Sequence, residues 1–130
     1  MERLIVLADD DPDIRSVYAG ALRHAGYQVI EASDGIEAVA LVHQWKPELL
    51  LLDVWMPAVN GFEVLDMIRY SPDLATMKVV MLSNLDDAES RLESFSGGVH
   101  DYWVKGISLR EFLDRVKRTL DDDSPVAEPR

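Results

Sequence analysis

Apolar residues fall along this chain in two alternating rhythms. Short unbroken runs at 4–8, 27–31, 49–53, 78–82 and 101–104 read as β-strands. Between them the spacing changes to three and four. Ile14, Val17, Tyr18, Ala21, Leu22 and Ala25 predict an amphipathic helix that Gly26 ends, since glycine takes the left-handed cap conformation without a steric penalty. Val39 and Val42 give a second helix, closed at Lys46-Pro47, and Phe62, Leu65 and Ile68 a third, ended by Ser71-Pro72. Leu85, Ala88, Leu92 and Phe95 give a fourth, ended by Gly97-Gly98. Leu109, Phe112, Leu113, Val116 and Leu120 give a fifth, with Ser108 and Glu111 in a capping-box pattern.

Strict alternation of five strands and five helices predicts a doubly wound α/β domain around a five-stranded parallel sheet. The first, third and fourth runs are almost wholly apolar, as strands covered on both faces must be. In open sheets of this kind, ligands bind beyond the carboxyl ends of the strands. Polar residues stand at those ends. Leu4-Ile5-Val6-Leu7-Ala8 runs into Asp9-Asp10-Asp11, and Leu49-Leu50-Leu51-Leu52 into Asp53. Val79-Val80-Met81-Leu82 ends at Ser83, and Tyr102-Trp103-Val104 at Lys105. Asp9, Asp10 and Asp53 offer hard oxygen ligands, which suit Mg²⁺ or Mn²⁺ rather than zinc. One of the carboxylates is a candidate nucleophile toward phosphorus, with the metal and Lys105 offsetting the charge that develops and Ser83 bonding a phosphoryl oxygen.

At 130 residues the chain has room for one domain, and its 48% apolar and 28% charged residues are those of a soluble globular protein. No apolar run approaches the ~20 residues of a membrane span. Met1-Glu2-Arg3 followed at once by a strand lacks the layout of a signal peptide, and with no cysteine the expected setting is cytoplasmic. A net charge of −11 argues against direct nucleic-acid binding, since phosphate backbones recruit clustered Lys and Arg. Within it, Asp9 to Asp13 holds four carboxylates in five residues. Asp11 or Asp13 serves as a helix cap in this reading, whereas crowding at Asp9 and Asp10 is unfavourable without a cation.

The chain resembles the response-regulator receiver domain over about residues 3 to 120. The resemblance is carried by Leu-Ala-Asp-Asp-Asp-Pro-Asp-Ile-Arg (7–15), Leu-Leu-Asp-Val-Trp-Met-Pro-Ala-Val-Asn-Gly-Phe-Glu-Val-Leu (51–65), Val-Met-Leu-Ser (80–83) and Asp-Tyr-Trp-Val-Lys (101–105). It implies a flavodoxin-like (βα)5 fold with strand order 2-1-3-4-5. It also implies Asp53 as phosphoacceptor, Asp9 and Asp10 with Asp53 and the backbone carbonyl of Trp55 around the metal, and Lys105 paired with the phosphoryl group. Ser83 and Tyr102 become a switch pair. The upstream partner is then a histidine kinase or phosphotransfer protein docking near the first helix. The output is carried by the face of the fourth helix, fifth strand and fifth helix. In one subfamily that face dimerises through charges that Arg91, Asp101, Glu111 and Arg115 match. Such a chain catalyses only its own phosphorylation and dephosphorylation.

Two positions depart from the family pattern. Gly106 stands where a cis proline usually follows the lysine, so a trans Lys105-Gly106 bond is expected, because cis without proline costs about 2.5–4 kcal/mol. Asn84 replaces a small residue beside Ser83. Trp55 and Leu85, two residues beyond Asp53 and Ser83, are bulky and apolar, and the expectation is that they shield an acyl phosphate from water.

Residues 1–120 are taken as the receiver and 121–130 as a linker stub or disordered tail, in either a single-domain receiver or one cut from a longer protein just after its fifth helix. Competing classes fit less well. An aspartate-nucleophile phosphohydrolase carries Asp-x-Asp-x-Thr/Val after its first strand, where this chain has Asp13 at the last place, and it needs a cap domain. A flavodoxin-like cofactor binder needs a phosphate loop that this acidic segment would repel. A degenerate receiver acting only as an interaction module would not need the intact acidic set.

Overall fold

A computed structural model describes residues 3–74, 77–84 and 98–122. The strands are β1 (Leu4–Ala8), β2 (Gln28–Ala32), β3 (Leu49–Asp53), β4 (Lys78–Ser83) and β5 (Asp101–Val104). The described helices are α1 (Pro12–His24), α2 (Gly35–Trp45), α3 (Gly61–Arg69) and α4 (Leu109–Asp121), with a 3-10 turn at Pro72–Leu74. Here α4 is the fifth of the predicted helices. The predicted fourth, with Leu85 and Arg91, lies outside the described residues. All strand pairs are parallel, in the order β2-β1-β3-β4-β5, as the resemblance implied.

Alternation along the central strands divides the core in two. Val6, Leu50, Leu52, Val79 and Met81 face α2 and α3, while Ile5, Leu7, Leu49, Leu51, Val80 and Leu82 face α1 and α4. Strand residues pointing to opposite faces explain why β1, β3 and β4 are apolar at nearly every position. On the α1–α4 side, Phe112 stacks on Tyr18 at 4.5 Å and meets Trp103 edge-on at 6.0 Å.

Local chemistry ends the helices where the sequence expects. Asp11 caps α1, its Oδ1 accepting from the amides of Asp13 (2.9 Å) and Ile14 (3.2 Å). Gly26, at φ +100°, ends that helix, with the Gly26 and Tyr27 amides donating back to Arg23 and Leu22. Asn60 and Glu63 form a reciprocal capping box on α3. The pattern at Ser108 is realised by half. Its hydroxyl accepts from the Glu111 amide at 3.1 Å, but the Glu111 carboxylate accepts instead from Arg115 Nε at 3.0 Å. An i,i+4 cation on the same helix face outcompetes the cap amide.

Two close approaches bring the loops to the sheet end. A side chain at Gly61 would meet the Asp53 carbonyl at 2.6 Å, and one at Gly35 the Val59 carbonyl at 2.6 Å. Glycine at both lets the 54–60 loop lie directly over β3. No helix among the described residues is long and apolar enough to cross a membrane.

Candidate phosphoryl and cation site

Parallel register brings the polar strand ends level. Ala8 pairs with Leu52, Asp53 with Leu82 and Ser83 with Val104. The Lys105 amide donates to the Ser83 carbonyl at 2.7 Å, carrying the ladder one residue past β5. Asp9, Asp53, Ser83 and Lys105 thus leave four adjacent strands at one edge. Asp9 and Ser83 are fully buried and Asp53 nearly so, while Asp10 is exposed.

Lys105 joins the two buried acids. Its Nζ donates to Asp9 Oδ2 at 2.7 Å and lies 3.3 Å from Asp53 Oδ1. Asp9 Oδ1 accepts from the Asp11 amide at 2.9 Å. One carboxylate oxygen from each of Asp9, Asp10 and Asp53 lies within 4.8 Å of the others. Three ionised carboxylates against one ammonium leave two negative charges, which a divalent cation would balance. An all-oxygen donor set suits Mg²⁺ or Mn²⁺.

Electrostatics separate the members. Burial pushes the Asp53 carboxyl up to about 6, and the Asp9 charge adds to this, while Lys105 and a hydrogen bond from the Trp55 amide pull the other way. Asp53 is therefore largely ionised at neutral pH. For Lys105, burial acts to lower the pKa, but its hydrogen bond to Asp9 and the Asp53 and Asp9 charges outweigh that and raise it. Lys105 keeps its charge against the acids.

Other predicted residues fall as follows. Tyr102 is buried in the core beside β4, in register with Met81. Trp55 is half exposed and meets Phe62 edge-on at 6.3 Å. No cis peptide occurs among the described residues, and Gly106 takes φ +100°, a conformation open to glycine but not to proline. Asp101 accepts from the Tyr102 amide and from Trp103 Nε1, both at 2.8 Å. With Glu111, Arg115, Arg118 and His100 it lines a polar cleft of about 540 Å³ between β5 and α4. There Glu111 and Arg115 pair within one helix, and Arg91 lies outside the described residues. A second, apolar groove runs between Ile14, Val17 and Tyr18 of α1 and Ile107 and Leu109 before and within α4.

One residue of this site had no predicted role. Arg15 donates from NH1 to the Asp9 carbonyl at 2.8 Å and from Nε to Glu31 at 3.3 Å. A cation just inside a helix that follows an acidic loop was the available signal.

Known proteins match this sequence and this fold. The family described as the response regulator receiver domain matches residues 5–117. The DNA-binding dual master transcriptional regulator RpaA of Synechocystis sp. is 37% identical over 120 residues, covering 92% of this chain and 49% of RpaA. The chain spans about half the length of such curated relatives. The chemotaxis protein CheY4 of Vibrio cholerae superposes with a TM-score of 0.87 at 27% identity, over 92% of this chain and 99% of that one. The receiver domain of a sensor histidine kinase from Pseudomonas aeruginosa, solved with magnesium coordinated in its active-site cleft, gives 0.86 at 24% identity, over 94% and 100%. The chain belongs to the response-regulator receiver family: it is a receiver domain of two-component signalling.

Proposed function

We propose that this receiver takes a phosphoryl group on Asp53 from a histidine kinase or phosphotransfer protein, in the cytoplasm, and that this switches the output face of the predicted fourth helix, β5 and α4. The carrying observation is the Lys105 ammonium held between Asp9 and Asp53 at the edge of a cluster of three carboxylates. Asp9, Asp10 and Asp53, with the carbonyl of Trp55, would hold Mg²⁺ or Mn²⁺. When bound, the ion supplies positive charge that offsets the carboxylates and the phosphoryl oxygens.

The residues of the chain do the rest. The Asp53 carboxylate attacks phosphorus, forming an O–P bond as the P–N bond to the donor histidine breaks. Lys105 turns from Asp53 to a phosphoryl oxygen while keeping Asp9, and the Ser83 hydroxyl donates to another. Tyr102, on β5 and buried in the cluster on the α2–α3 side of the sheet, follows Ser83 and carries the change to the output face. Catalysis is limited to the chain's own phosphorylation and dephosphorylation.

The apolar groove between α1 and the start of α4 supports docking of the donor there. It lies beside the acidic end of β1 and opens two residues past Lys105, with Val17 and Leu109 substantially exposed. Residues 1–120 act as the receiver, with 121–130 as a linker stub or disordered tail. Arg91, Asp101, Glu111 and Arg115 are proposed to form the face of a phosphorylation-dependent homodimer.

Incubation with acetyl phosphate and Mg²⁺ followed by intact mass tests the chemistry. One added phosphoryl group is expected, dependent on Mg²⁺ and lost in Asp53→Ala. Addition that persists in Asp53→Ala, or none with any donor, contradicts the proposal.

A further inference from the structure

We propose that Arg15 is a positioning residue for cation capture, setting the orientation of the Asp9–Asp10 peptide while Glu31 offsets part of its charge. This rests on the reading that Asp9, Asp10 and Asp53 hold a divalent cation. Asp9 is held at every polar atom. Its amide donates to the Ala32 carbonyl (3.1 Å), Oδ1 accepts from the Asp11 amide (2.9 Å), Oδ2 accepts from Lys105 (2.7 Å), and its carbonyl accepts from Arg15 NH1 (2.8 Å). The Asp11 bond closes an Asx turn through the Asp9–Asp10 peptide and limits its turn, but none of the first three bonds holds that peptide's own carbonyl. The fourth fixes that turn, and with it the direction in which Asp10 leaves the strand. Asp10 is the exposed member of the cluster, so its approach to Asp9 and Asp53 depends on that backbone more than on packing.

A bare cation this close would repel Mg²⁺. Arg15 Nε lies 3.3 Å from Glu31 Oε1, and the other Glu31 oxygen takes Arg23 NH1 at 3.0 Å, whose NH2 reaches the Val29 carbonyl at 2.9 Å. Arg15 therefore acts through a carbonyl, leaves the carboxylate oxygens to the metal, and faces an acid on β2 that it shares with Arg23. Residues that orient metal ligands typically change metal affinity by about 10–100-fold when replaced.

Calorimetric titration with MgCl₂, beside urea unfolding of the metal-free proteins, tests this. Arg15→Gln is expected to weaken Mg²⁺ binding about tenfold. Arg15→Lys is expected to fall between, because an ammonium cannot span both the carbonyl and Glu31. Glu31→Gln is expected to weaken binding more at low than at high salt, since it leaves Arg15 unbalanced. Binding by folded Arg15→Gln within twofold of wild type, or tighter, overturns the proposal. Tighter binding means that charge rather than orientation governs. If Arg15→Gln does not fold, unchanged affinity in both Arg15→Lys and Glu31→Gln overturns it. Failure of the wild type to bind Mg²⁺ overturns the metal reading as well.

Discussion

Lys105 touches both Asp9 and Asp53, yet Asp53 still carries a raised pKa of about 6, because burial costs it more than one ammonium and one amide return. The consequence has a definite sign. A carboxyl whose folded pKa exceeds its unfolded value holds its proton more tightly when folded, so stability is lost as pH rises from about 4 through about 6. Asp53→Asn removes that cost. In metal-free urea unfolding it is expected to stabilise the fold by about 1–3 kcal/mol at pH 7.5 and to match wild type below pH 4. A variant no more stable than wild type at pH 7.5 contradicts this origin of the shift. The strand-end acids, Ser83 and Lys105 were legible in the sequence because each is a polar residue directly after an apolar run. Arg15 was not, because its target is a backbone carbonyl, which no residue type displays.

Element order, parallel pairing and the two-sided core followed from short apolar runs alternating with helical spacing of three and four, and among the described residues strand ends moved by one residue at most. What sequence could not show were bonds between distant elements. Lys78 begins β4, yet its ammonium donates to the carbonyls of Thr119 (2.7 Å), Leu120 (3.2 Å) and Asp122, satisfying the last turn of α4. Arg69, in the last turn of α3, donates to the carbonyls of Leu74, Met77 and Gly98, tying the start of β4 to the segment before β5. The half-made capping box at Ser108 has the same origin, since Glu111 had a partner one turn along. The α1–α4 contact depends on one ring. Phe112 is buried between Tyr18 and Trp103, so Phe112→Ala is expected to cost about 3–5 kcal/mol of unfolding free energy and to loosen α4. A loss under 1 kcal/mol would place the contact's strength elsewhere.

In the molecule as a whole, the proposed function puts the input at the acidic end of the sheet and the output charges on the β5–α4 side. Glu111 and Arg115 already satisfy one another within the helix, and Asp101 holds Trp103. Exchanging such exposed pairs across a dimer gains little, roughly 0–1 kcal/mol each, so apolar contact must change as well. Sedimentation at tens of micromolar is expected to show a monomer that dimerises with beryllofluoride and Mg²⁺. A monomer in both states counts against the dimer face. On the proposed function, the phosphoryl group is carried by Asp53 and not by its acidic neighbours. Phosphorylation by acetyl phosphate with Mg²⁺, acetate leaving, followed by borohydride reduction and peptide mass analysis, tests this. The account predicts conversion of residue 53 alone to homoserine. Conversion at Asp9 or Asp10, or no conversion in protein shown to bind Mg²⁺, contradicts it.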